Sequence, residues 1–173
     1  MIRCAIADRH SDFTAIISDW IQVRDKELEA RDLLELVKRA LASSTAKVIV
    51  NTRMDVAIAS GAHGLHLPAA SPAPAQFRKI APAEFLIGVS CHSVDEVKRA
   101  ADEGADYVLF GPVFAPISKS TDLAPRGLDR LRKAARAVKI PVLALGGITN
   151  ENKQSCIDAG AAGVAGISLF RSC

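Results

Sequence analysis

Gln22, Arg24 and Lys26 stand at alternate positions in and just after the short run Trp20–Arg24. Alternate residues of an extended segment project to one side, so the three form a small cationic, hydrogen-bonding comb. An Arg can fork onto phosphate oxygens and a Lys can sit beside them as a point charge. Asn51, Arg53, Ser90, Ser118 and Lys119 add polar side chains at the ends of other apolar runs. A second anion site is written in the backbone. Gly146-Gly147-Ile148-Thr149-Asn150 turns from an apolar run into a helical stretch, and Gly166-Ile167-Ser168 ends another run. Main-chain N–H groups at such turns, with a helix start behind them, bind phosphate. Two anion zones suit two phosphorylated ligands, or one phosphate with a diphosphate or carboxylate. A tight turn alone would also explain the glycines, and ion pairs with Asp25, Glu27 or Glu29 would also occupy Arg24 and Lys26.

His66, inside Leu65-His66-Leu67, reads equally as a hydrogen-bonded core residue and as a ligand-facing one. With Lys119 it is the candidate for catalytic work. His63, at a helix-to-strand joint, reads as surface. Cys91 has no neighbouring base except His92, which leaves little case for a thiol nucleophile. The four cysteines (Cys4, Cys91, Cys156 and Cys173) are far apart and include no C-x-x-C pair. That spacing argues against structural zinc and against a secreted disulfide framework.

The elements that must position these residues alternate in type. Short apolar runs fall at Cys4–Ala7, Trp20–Arg24, Lys47–Asn51, Gly64–Leu67, Phe85–Ser90, Tyr107–Val113, Val142–Leu145 and Val164–Ser168. Several are apolar at both parities, as strands buried on both faces must be. Helical segments lie between them at Lys26–Ala42, Met54–Ser60, Ala73–Ile80, Val94–Glu103, Leu128–Val138 and Glu151–Ala159. Strands alternating with helices predict βα units and a parallel sheet. Gly61-Ala62, Gly104-Ala105 and Gly160-Ala161 repeat one helix-to-strand joint, with Gly as the left-handed cap. Eight strands predict an α/β fold of the (β/α)8 TIM-barrel class, a single domain over residues 1–173. Its first and last helices are expected to be short or missing, so either a partner such as a second copy of the chain covers the gaps or the strand count is one too high.

Lys and Arg number 22 against 19 Asp and Glu, a net charge of +3 with no basic cluster, so a nucleic-acid partner is not expected. No apolar run approaches a membrane span and the N-terminus lacks a basic, apolar leader, so a cytoplasmic location is expected and no membrane partner.

As a set, five segments resemble the thiamine phosphate synthase/TenI family over essentially the whole chain. They are residues 21–26 (IQVRDK), 50–55 (VNTRMD), 88–93 (GVSCHS), 104–114 (GADYVLFGPVF) and 144–148 (ALGGI). The resemblance implies a (β/α)8 barrel that binds a thiazole phosphate. For synthases it implies that a pyrimidine diphosphate loses pyrophosphate and is captured by the thiazole nitrogen. Gln22, Arg24, Lys26, Asn51, Ser90 and Lys119 would then hold the diphosphate, and the backbone around Gly146, Gly147, Ile167 and Ser168 the thiazole phosphate. Synthases of the family also carry two aspartates that bind Mg2+, and the corresponding positions here are Thr52 and Ser71. Pro116 stands where a Thr is usual. The segment Leu67-Pro68-Ala69-Ala70-Ser71 resembles instead the TenI branch, whose thiazole tautomerases move a proton without metal. The His common in the sixth-strand turn of those enzymes is Pro112 here, so His66 would have to substitute. The resemblance thus places a metal-independent tautomerase with no cofactor first. A synthase needing Mg2+ is the alternative, and a non-catalytic binding homologue the third reading.

Overall fold

The eight apolar runs pair edge to edge, each parallel to the next, and the last returns to the first. The computed structural model describes residues 1–115 and 123–170. Its strands are β1 (Ile2–Ala7), β2 (Trp20–Val23), β3 (Lys47–Asn51), β4 (Gly64–Leu67), β5 (Leu86–Cys91), β6 (Tyr107–Phe110), β7 (Val142–Leu145) and β8 (Gly163–Gly166). They close in sequence order into a barrel, with β8 set against β1 from Ile2↔Gly163 to Ala5↔Gly166. Closure removes both sheet edges. Outside lie α1 (Ala30–Ser43), α2 (Met54–Ser60), α3 (Pro74–Arg78), α4 (Val94–Asp102), α5 (Gly127–Ala137) and α6 (Lys153–Asp158). The (β/α)8 expectation is met. A single 3-10 turn, Phe13–Ala15, stands where the first helix would be, and no helix follows β8 among the described residues.

Strand alternation splits the core in two. Outward residues such as Ile21, Val23, Val48, Val50, Leu65 and Leu67 pack under the helices, where α1 presents Leu33, Leu36, Val37 and Ala40 at helical spacing. Inward residues Cys4, Ile49, Tyr107, Leu109, Leu143 and Ala165, with Trp20 and Leu145, fill the barrel. Such layers make a barrel interior a packed core rather than a pore.

The repeated Gly-Ala joint is one hydrogen-bonded motif used three times. Gly61, Gly104 and Gly160 all have φ between 72° and 98°. The N–H of the following alanine reaches five residues back in each, from Ala62 to Ala57, Ala105 to Ala100 and Ala161 to Cys156, at 2.9–3.1 Å. This caps the helix and sends the chain directly into the next strand.

Three boundaries move for physical reasons. α1 begins at Ala30, not Lys26, because the Asp25 carboxylate accepts the Glu27 N–H at 3.1 Å and holds a turn there. β6 stops at Phe110, short of Val113, since Pro112 has no N–H to give the ladder. α6 begins at Lys153, two residues late, because Asn152 accepts the Thr149 N–H and braces the preceding turn. Among the described residues no helix is long and apolar enough to cross a membrane.

Closure leaves no room at Gly163, where an added Cβ would lie 2.1 Å from the Ile2 carbonyl oxygen. Gly163→Ala is therefore expected to lower unfolding free energy by about 1–3 kcal/mol, the range for overpacking. Denaturant unfolding of the two proteins side by side checks it.

Candidate functional site

The C-terminal ends of the strands gather most of the polar residues singled out above. Gln22 pairs with Ile49 in the β2–β3 register and shares its inward face. It is 1% exposed, and its Nε2 has no hydrogen-bond partner among the described residues. Arg24 continues the same parity beyond β2. Arg24, Ser90, His92, Leu109, Gly111, Pro112, Leu123, Leu145 and Gly146 line a cavity of about 310 Å³ at the mouth. Its volume is that of a small-molecule site, and its wall is apolar apart from a few polar groups.

Arg24 and Lys26 do not form the ion pairs that the neighbouring acids would suggest. Arg9, from the loop after β1, takes those acids instead. Its Nε meets Asp25 at 2.8 Å and its Nη2 meets Glu27 at 2.5 Å. The Asp25 side chain is only 4% exposed. Burial pulls its carboxyl up, but the Glu27 N–H and the Arg9 guanidinium outweigh that and hold it below the usual range. The acids are thus neutralised by Arg9, and Arg24 and Lys26 carry no ion pair among the described residues. Lys26 lines a neighbouring pocket with Arg9, Asp25 and Glu27, while Arg24 lines both that pocket and the mouth cavity.

A string of buried polar groups runs down from the mouth. His66 Nε2 lies 2.8 Å from Ser90 Oγ, and His66 Nδ1 lies 3.1 Å from the Tyr107 hydroxyl. Asn51, His66, Gly88 and Tyr107 are successive register partners across β3 to β6, so they share one level of the barrel. Burial, with the Arg24 charge adding to it, pushes the His66 imidazole down to about 3. His66 is therefore held neutral in the interior, with its two nitrogens engaged by Ser90 and Tyr107. His92 differs. Its Nδ1 donates to the Gly111 carbonyl at 2.6 Å, which leaves Nε2 an acceptor on a residue that lines the cavity. Cys91 faces the helix layer, and burial pushes its thiol up to about 12, against the thiolate that a nucleophile needs.

The turn after β7 is built for close backbone approach. Gly146 and Gly147 have φ of 98° and 63°, and a Cβ on Gly147 would lie 2.3 Å from the Ala115 carbonyl oxygen. Asn152, not Asn150, pins the turn: it accepts from Thr149 N–H and donates to the Gly147 carbonyl at 2.9 Å. Ile167 and Ser168 are exposed just beyond β8. Arg53 is turned aside, bound at 2.6 Å to Asp55 in the first turn of α2. Ser118 and Lys119 lie outside the described residues.

Among the described residues no three His, Cys, Asp or Glu side chains could together hold a metal ion. At the two positions where the resemblance expects aspartates, Thr52 Oγ1 accepts from Asn51 Nδ2 at 2.8 Å and Ser71 Oγ donates to the Pro68 carbonyl at 3.0 Å. The orphaned Gln22 Nε2 is a donor, which calls for an anionic oxygen rather than a cation.

Sequence reasoning missed Arg9, Tyr107 and Asn152. Arg9 acts across 16 residues, and no local pattern announces that. Tyr107 shares the inward parity of Leu109, which is the one signal that could have singled it out.

Residues 6–170 match the family model described as thiamine monophosphate synthase. The chain is 45% identical to a thiamine-phosphate synthase of Methanoculleus marisnigri over 92% of this chain and 79% of that protein. It is 41% identical to a putative thiamine-phosphate synthase 2 of Aquifex aeolicus, over 87% and 81% respectively. Its fold matches a thiamine phosphate pyrophosphorylase from Pyrococcus furiosus with a TM-score of 0.85 and 32% identity, covering 96% of this chain and 85% of that one.

Two outcomes follow from the geometry. Arg9→Ala releases Asp25 and Glu27 toward Arg24 and Lys26, and is expected to weaken binding of inorganic pyrophosphate about two- to fivefold by calorimetry. His66 refuses a proton that the unfolded chain accepts near its ordinary 6.5. Stability is thus intact above that pH and falls as pH drops from there toward 3. Between pH 7 and 5 the native protein should lose up to about 2 kcal/mol that His66→Gln does not lose, measured by denaturant unfolding.

Proposed function

The chain belongs to the thiamine monophosphate synthase family, and from that premise we propose that it joins a pyrimidine diphosphate to a thiazole phosphate at the barrel mouth. The observation that carries this reading is a set of donors lacking acceptors. Arg24 and Lys26 form no ion pair among the described residues, because Arg9 holds Asp25 and Glu27, and Gln22 Nε2 is buried without a partner. Diphosphate oxygens are what such a set lacks.

In the proposed reaction the bond between the pyrimidine methylene carbon and the diphosphate oxygen breaks. Its electron pair leaves with pyrophosphate, and the thiazole nitrogen supplies the pair for the new carbon–nitrogen bond. Arg24, Lys26 and the Ser90 hydroxyl stabilise the charge that collects on the leaving group. Leu109, Leu145 and Pro112 keep water from the carbon while it is electron-poor. By resemblance Asn51 and Lys119 complete the diphosphate site. The Gly146-Gly147 turn with Ile167 and Ser168 takes the thiazole phosphate. Arg53, held by Asp55, is left out of the site.

The residues present do not fit a magnesium ion held by side-chain carboxylates, since Thr52 and Ser71 offer only hydroxyls that are already bonded. The proposed steps use none. This same lack favours a second reading, the metal-independent proton shift on a thiazole carboxylate phosphate. Its acid–base group would be His92, with Nε2 unbonded among the described residues, because His66 is closed off. The names of the relatives support transfer over that shift.

Purified protein given both phosphorylated substrates is expected to form thiamine phosphate, and Arg24→Ala to lose about ten- to a hundredfold in kcat/KM. Conversion of the thiazole carboxylate phosphate alone, with no thiamine phosphate formed in magnesium or in EDTA, would move the assignment to the second reading.

A further inference from the structure

The polarity of the buried string is determined by its lower end. Tyr107 is fully buried, edge-on to Trp20 with ring centroids 4.9 Å apart. Its ring fills the space left by Gly88, where a Cβ would lie 2.0 Å from the Tyr107 Cζ. Among the described residues the hydroxyl meets one polar atom, His66 Nδ1. A buried hydroxyl with a single partner must donate to it, since otherwise its own proton has no acceptor. Nδ1 therefore accepts and carries no proton. The ring is neutral, because it is buried beside the Arg24 charge, so its proton sits on Nε2. That N–H donates to Ser90 Oγ at 2.8 Å. Having accepted, Ser90 keeps its own proton for another partner, and Ser90 lines the mouth cavity with Arg24.

We infer that Tyr107 is a positioning residue which, through His66, sets the Ser90 hydroxyl as a hydrogen-bond donor toward the mouth. What that donor meets rests on the diphosphate reading above. The reverse polarity would leave Ser90 giving its proton to the imidazole and turning a lone pair toward the anion. One hydroxyl, two side chains below the ligand, thus decides whether Ser90 attracts or repels a phosphate oxygen. His66 transmits this and touches no substrate.

The test reads the tautomer directly, in protein labelled with 15N-histidine and without substrate. Native His66 is expected to show a protonated Nε2 and an unprotonated, acceptor-type Nδ1. Tyr107→Phe removes the hydroxyl and keeps the ring over Gly88. It should mix the two tautomers and weaken inorganic pyrophosphate binding about tenfold by calorimetry. The same substitution made on top of Ser90→Ala should weaken binding no further. A native protein with the proton on Nδ1 overturns the inference, even if Tyr107→Phe cannot be purified folded. So does a Tyr107→Phe protein that keeps both tautomer and affinity. Failure of the native protein to bind pyrophosphate sinks the diphosphate reading and Ser90's part in it, while the tautomer result still reports separately on the Tyr107–His66 link.

Discussion

Closing eight parallel strands into a ring packs their inward side chains against one another in a space with almost no water, so each must fit its neighbours in both shape and polarity. Here one close fit is at the level shared by Asn51, His66, Gly88 and Tyr107. A missing side chain on β5 admits the tyrosine ring from β6, and the ring delivers its hydroxyl to the imidazole on β4. Ser90, one inward position above Gly88 on the same strand, takes the other end of the imidazole. The polar rim is thus continuous with the barrel interior rather than an ornament on top of it.

The rim itself is organised by a different means. Four charged groups in close sequence, Arg24, Asp25, Lys26 and Glu27, would neutralise one another if left alone. Arg9 prevents that by binding both acids with one guanidinium, a geometry that lysine cannot match. Parallel pairing is what brings Arg9 close enough to do so, since it sets the end of β1 beside the end of β2, where the Arg24 N–H donates to the Ala7 carbonyl at 2.8 Å. A local charge inventory that sums to nearly nothing therefore leaves Arg24 at the mouth with no ion pair among the described residues.

Much of the architecture was legible in the residues. β3, β4, β7 and α2 fall where their apolar patterns predict, because each is bounded by a residue with a strong local preference, such as the Gly61 cap. The Gly-Ala joints were readable because a left-handed cap is a property of the glycine itself. The boundaries at α1 and α6 were moved by side chains bonding to backbone two or three residues away, which periodicity does not register. The site divided along the same line. Arg24, Ser90 and Gly146 could be placed at the mouth from strand ends alone, whereas Arg53 was drawn off by Asp55. His66 was ambiguous in sequence because a core histidine and a ligand-facing one differ only in what surrounds them. Its partners come from two other strands, so only the register could decide.

The interlock of Gly88 with Tyr107 also constrains how such a chain can diverge. Enlarging residue 88 while the ring is in place forces atoms to overlap, and removing the ring while 88 stays glycine leaves a hole in the barrel. Neither position can drift alone. The two can change only as a pair, so a descendant that abandons the tyrosine must pass through a less stable intermediate or acquire both changes together. The polarity of the mouth is thereby inherited along with the packing of the core.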